Sequence, residues 1–195
     1  MIPSWTLALG AALSVAGTWN YVVATLKGHT KPNRVTWIMW AVAPLLAFAI
    51  EVQQHVGVSS FTTLLFGIMP IFVLIASTKN PNGQWKISVF DAVCGVVSII
   101  GLVVWLSTNH PTWGLVAQVV ADAVAGLPTL HKAMRHPQTE SPFAFLTGVV
   151  NSALALLVLH HWTTSGALFP LSILIMNSLI VFFIVTRWAA QTSEV

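Results

Sequence analysis

Apolar residues run along this chain in long blocks, not in the alternation of strands or the one-sided stripe of a soluble helix. Seven blocks are long enough to cross about 30 Å of hydrocarbon, a distance that takes roughly 20 residues of helix. They cover about 4–26, 35–54, 59–78, 87–107, 111–132, 142–161 and 166–188. The breaks between them carry turn chemistry: Gly28 and Pro32, Gly57, Asn80-Pro81-Asn82-Gly83, Asn109-His110-Pro111, His136-Pro137 and Ser165-Gly166. Barrel strands would be about half as long and would alternate polar with apolar. The pattern predicts an all-α membrane protein with seven transmembrane helices.

Composition removes the soluble alternative. Only 7% of residues are charged and 56% are apolar, against roughly a quarter charged in a soluble domain. The net charge of +3 does not signal nucleic acid, because the basic residues lie scattered between apolar runs and form no patch. Cys94, the only cysteine, sits inside an apolar run and reads as a small buried hydrophobe. Residues 1–19 lack the basic leader of a signal peptide, so they read as part of a retained first span.

Charge then orients the spans. Lys27, Lys31 and Arg34 follow span one, Lys79 and Lys86 span three, Lys132 and Arg135 span five, and Arg187 span seven. All eight fall on one side, and cytoplasmic loops are the ones that retain Lys and Arg. The N-terminus is therefore expected outside and the C-terminus in the cytoplasm, with the plasma membrane as the expected location. Trp113 and Trp162 on the outer side, and Trp37, Trp40, Trp85 and Trp188 on the inner, read mostly as an aromatic belt.

A gapless shift lays Val15-Ala16-Gly17 on Val124-Ala125-Gly126, Thr30 on Thr139, and Ala8, Ala12 and Ala24 on Ala117, Ala121 and Ala133. Span one then falls on span five, and spans two and three on six and seven. Residues 1–78 become one three-helix unit, 79–109 a linker and connector helix, and 110–195 a second unit in the same orientation. Parallel repeats of this kind occur in transporters, with the substrate site at the repeat interface near the midplane.

Gly126-Leu127-Pro128-Thr129-Leu130-His131-Lys132, followed by Arg135, Thr139 and Ser141, resembles a PQ-loop motif. Together with the 3+1+3 layout, it is similar to the SWEET and PQ-loop superfamily of seven-span transporters. Thr129 stands where the motif carries glutamine, and Trp19-Asn20 where the first repeat would carry Pro-Gln. The resemblance implies a sugar-type site with an asparagine from the third helix of each unit. Asn177 fits that role in span seven, and Ile68 occupies the matching position in span three.

Depth singles out the chemistry. Counted from Pro111 at about 1.5 Å per residue, Asp122 lies about 16 Å deep. An acid there costs about 2.5–3.5 kcal/mol on insertion scales and usually marks a pathway or relay, the alternative being a structural acid that holds helices together. It suits proton coupling, or a cationic or hydroxylated solute. Asn151 and Asn177 reach similar depth on the other helices of the second unit, and Gln118 sits one turn from Asp122 on the same face. They read as solute-binding groups or as interhelical hydrogen bonds.

The first unit offers Ser14, with Trp19 or Trp40 to wall a cavity. Pro44, Pro70 and Pro128 read as hinges or as static kinks. Asp91 reads as a helix N-terminal acid or as a partner of Lys86. Glu51 and His55 are one turn apart near His160-His161, which raises a zinc site, although that spacing does not converge. No cofactor or resident metal is expected. No metalloprotease, P-loop or nucleophile-elbow motif occurs, so no enzyme is expected; span seven has no lysine to carry retinal.

The expectation is a carrier for a small polar or amphipathic solute, working by alternating access and open to proton coupling. A receptor or accessory subunit on the same architecture is the alternative. The expected partners are the lipid bilayer, the small-molecule solute and protons, with an oligomer allowed and nucleic acid excluded.

Overall fold

The computed structural model describes residues 5–53, 55, 60–80, 82, 84–108, 110–159 and 161–192. Seven α-helices account for most of them: α1 (Thr6–Leu26), α2 (Arg34–Gln53), α3 (Ser60–Lys79), α4 (Val89–Ser107), α5 (Pro111–Arg135), α6 (Pro142–Val158) and α7 (Thr164–Thr192). Among the described residues there are no strands. Helices are the form in which so apolar a backbone can satisfy its own N–H and C=O groups without water. Five of them, α1, α2, α4, α5 and α7, are long and apolar enough to cross a bilayer, and α6 is a shorter apolar helix of 17 residues. The chain is an integral membrane protein.

The helix ends follow local chemistry. Gly28 takes φ 77, the left-handed turn that releases the chain from α1. Ser88 and Asp91 form a reciprocal capping box at the start of α4, with the Ser88 amide donating to Asp91 Oδ2 at 2.8 Å and the Asp91 amide to Ser88 Oγ at 3.1 Å. Asp91 is thus a helix N-terminal acid. Pro111 and Pro142 open α5 and α6, where a missing N–H costs nothing.

The packing order differs from the chain order. α3 packs against both α1 and α2, and α7 against both α5 and α6. α1 meets α6, and α2 meets α5, which closes a ring of six helices. α4 lies on α5 and α2 and turns Val93, Val96, Ile100 and Val103 outward, more than half exposed, as a lipid-facing stripe. The α1–α6 seam is close because Gly17 leaves no room for a Cβ beside Thr147, and Gly10 none beside Asn151.

Hydrogen bonds and ring contacts gather the basic loops at one end of the bundle. Asn80 Nδ2 donates to Leu26 O at 2.7 Å, Arg34 to Ser77 O at 3.1 Å, and the Lys31 amide to Thr139 O at 2.9 Å. Trp85 packs on His136, and Phe90 on His131. A core cluster that includes Tyr21, Trp37, Val73, Phe145, Ile180 and Ile184 lies toward this basic end.

Candidate functional site

Toward the opposite end the helices part around a cavity of about 510 Å³, a size typical of small-molecule sites. All six ring helices line it, and no lining residue comes from α4. The wall is mostly apolar, interrupted by a few polar groups.

Most residues singled out by depth arrive there. Gln118 and Asp122 from α5, Asn151 from α6 and Asn177 from α7 face the same space as Ser14 of α1 and Trp40 of α2. Pro44, Pro70 and the further Pro170 line it too, each inside a helix that continues through the proline. A proline removes the N–H that the carbonyl four residues earlier would have received. At Pro44 and Pro70 those carbonyls belong to Trp40 and Phe66, both on the cavity wall.

One residue expected on the cavity wall does not arrive. Trp19 is 53% exposed on the outside of the bundle, edge-on to Phe72 with ring centroids 6.1 Å apart. Ser14, Val15 and Thr18 give α1 its cavity face, and Trp19, four residues after Val15, lies past the edge of that face against Phe72 of α3. Pro128 is buried six residues past Asp122 and lies outside the lining, toward the basic end. The aromatic-belt reading also needs correction. Trp113 and Trp162 are about two-thirds exposed, as a belt requires, but Trp37 is buried and Trp40 lines the cavity.

The polar groups differ in how far they are satisfied. Asn177 Nδ2 donates to Ile173 O at 3.0 Å on its own helix. Among the described residues no hydrogen bond or ion pair holds the Asp122 carboxylate or the Gln118 amide. Ser14 Oγ is buried without a partner. Glu51 takes a hydrogen bond from Thr63 Oγ1 at 3.0 Å, while its Oε2 is buried without one. Glu51 therefore belongs to the cavity, not to an outer metal cluster. Among the described residues no group of three metal-ligating side chains occurs, and His160, part of the zinc expectation, lies outside them.

At the basic end the cavity floor is aromatic, and beneath it lies a sealed polar layer. Trp37, Trp40 and Phe145 stand on the wall with centroids 5.6 Å (Trp37–Trp40) and 6.5 Å (Trp40–Phe145) apart and planes inclined at 79° and 63°. Tyr21 packs under Trp37 at 4.9 Å and donates its hydroxyl to Glu140 Oε2 at 2.6 Å. Glu140 pairs with Lys132 at 2.7 Å, both side chains at most 1% exposed. Lys132 also donates to the Lys31 carbonyl and lies 5.0 Å from the Trp85 ring centre. Thr25, Thr30 and Asn33 fill the same layer and are fully or almost fully buried.

In the sequence Lys132 reads as one of the basic residues of the cytoplasmic side, and Tyr21 and Glu140 carry no assigned role. Two signals were present. Tyr21 is the only tyrosine, and Glu140 is an acid standing among basic residues eight positions after Lys132. Comparison with protein-family models, with curated proteins and with solved structures gives no match for this chain.

Proposed function

We propose that the chain is a membrane carrier for a small polar or amphipathic solute, built as two parallel three-helix units, α1–α3 and α5–α7, joined by α4. The observation that carries this reading is the cavity: its polar groups come from both halves of the chain, and its floor is sealed by contacts between those halves. Helix order supports the repeat. Exchanging α1, α2 and α3 for α5, α6 and α7 turns the α1–α6 contact into α5–α2, and α3 between its partners into α7 between its own. That is the arrangement expected of a parallel repeat with its axis along the membrane normal, and it suits the resemblance to SWEET and PQ-loop carriers. The positive-inside rule puts the basic end in the cytoplasm and the N-terminus outside, with the plasma membrane as the natural setting. The cavity then faces outward and the Tyr21–Glu140–Lys132 layer is the closed inner door.

The layer is divided so that it can open. Lys132 and Glu140 belong to the same unit and travel together. In the layer, the hydrogen bonds between described residues that cross between units are Tyr21–Glu140, Lys132–Lys31 and the Lys31–Thr139 backbone bond. Opening therefore breaks hydrogen bonds, those to charged groups being worth about 1.5–3 kcal/mol each, without separating a buried ion pair. Pro44, Pro70 and Pro170 let the cavity helices bend as the units rock.

A receptor without turnover is the second reading, favoured by the same sealed floor, since a receptor needs access from one side only. Uptake into proteoliposomes decides between them. With a panel of sugars, amino acids and small aromatic solutes, wild type should accumulate one class, and Asp122→Asn should cut that uptake about tenfold or more. Dependence on a pH gradient that disappears in Asp122→Asn would make this acid the proton site. Ligand binding with no uptake of any solute would establish the receptor instead.

A further inference from the structure

We propose that the cavity takes organic cations, compact protonated or quaternary amines with an apolar body, and not sugars. The ionisable groups on its wall are Asp122 and Glu51, both acids, one from each half of the chain. No lysine, arginine or histidine is among the lining residues. Of the described basic side chains, Lys132 is buried in its pair with Glu140 below the floor, Arg34 holds Ser77, and His55 lies one turn beyond Glu51, outside the lining. Asp122 has no protein partner among the described residues, and one Glu51 oxygen is buried beside the cavity unpaired. An acid without a partner in a low-dielectric cavity gains most, as its carboxylate, from a bound cation.

The floor supplies the other half of the recognition. Trp37, Trp40 and Phe145 meet at steep angles, so that rings border one corner of the cavity on more than one side. Ring faces attract a cation, most strongly when it is desolvated, and aromatic corners of this kind hold quaternary ammonium groups that have no hydrogen bond to give. A sugar would need donors and acceptors around its whole rim. The first unit offers the hydroxyls of Ser14, Thr18 and Thr63, the last two already donating to the Ser14 carbonyl and to Glu51.

This assignment rests on reading the cavity as a solute site but not on transport, so binding is measured apart from uptake. Full-length protein in lipid nanodiscs is titrated calorimetrically with choline, with benzyltrimethylammonium, with 3,3-dimethylbutan-1-ol (the uncharged isostere of choline) and with glucose. The two cations should bind, and the isostere should bind at least about tenfold more weakly. Glu51→Gln and Trp40→Leu should each weaken cation binding by about five- to tenfold, and each should weaken the isostere's binding less. Equal binding of choline and its isostere overturns the assignment. So does binding of glucose alone, or no binding of either cation by wild-type protein that is monodisperse and cooperatively folded. Cation binding that resists both substitutions places the cation outside the cavity and equally overturns it. If the cations bind but never accumulate in proteoliposomes, the carrier reading fails and the cation site stands. If a neutral solute accumulates through an Asp122-dependent route, the carrier reading stands and the cation assignment fails.

Discussion

The charged groups at the two ends of the helix bundle are handled in opposite ways. At the basic end, Tyr21, Lys132 and Glu140 are packed out of contact with solvent and hydrogen-bonded to one another and to the Lys31 backbone. In the cavity, Asp122 has no partner among the described residues, and Glu51 meets only the Thr63 hydroxyl. A buried polar group without a partner costs roughly 1–3 kcal/mol. The first arrangement is therefore what stability favours, and the second is tolerated where something else will supply the partner. On the proposed reading, the contrast separates acids paired to close one end from acids left open to a solute.

The largest effect should come from breaking the closed layer. Lys132→Met leaves Glu140 as an uncompensated buried charge, and breaking such a pair typically costs about 3–5 kcal/mol. Removing both charges, as Lys132→Met with Glu140→Leu, should recover most of that loss. Denaturant titration in detergent micelles reads both. A single-variant loss below about 1 kcal/mol would mean that water reaches the layer, and the distinction between the two ends would collapse.

Next in size is the seam that joins the halves. A methyl group added at Gly17 would run into Thr147 Oγ1, and the surrounding Thr147 carbons stand at 3.0 Å. Gly17→Val should therefore cost about 1–3 kcal/mol by overpacking. Gly17→Ala alone should be mildly destabilising, and Gly17→Ala with Thr147→Gly should return close to wild type in the same titration. Failure of that rescue would show that Gly17 serves the backbone of α1 and not its approach to α6.

How far these features could be seen in the sequence depends on what each one rests on. The spans were visible because a membrane helix needs a long apolar run, and 35–54 and 87–107 closely match α2 and α4. The gathering of Lys and Arg at one end was visible for the same kind of reason, since charge is cheap only outside hydrocarbon. Asp122, Gln118, Asn151 and Asn177 were visible because depth alone makes a polar residue expensive. Direction about the helix axis was not visible, and Trp19 was misplaced for that reason. The Lys132–Glu140 pair was hidden by the turn Pro137–Thr139 that folds one residue back on the other. A rule that treats every basic residue at a helix end as solvated cannot find such a pair. Glu51 lay near the end of its span, where an acid needs no explanation until α3 brings Thr63 beside it.

The smallest expected effect is also the sharpest check on which side of the wall matters. Trp19 and Trp40 are both tryptophans within membrane helices, and only the second reaches the cavity. Trp19→Leu keeps an apolar surface toward lipid and gives up one edge-on contact with Phe72, a kind of pair worth about 0.5–1.5 kcal/mol. Solute binding and uptake should stay within about twofold of wild type, since no lining atom changes and surface substitutions are usually mild. Trp40→Leu removes a wall of the cavity at similar cost in apolar volume. If the two variants lose binding equally, general loosening of the bundle accounts for both and the aromatic floor has no special part. If only Trp40→Leu loses it, the floor acts through the ring it presents to the solute, and a difference of one helical face separates a lipid anchor from a binding residue.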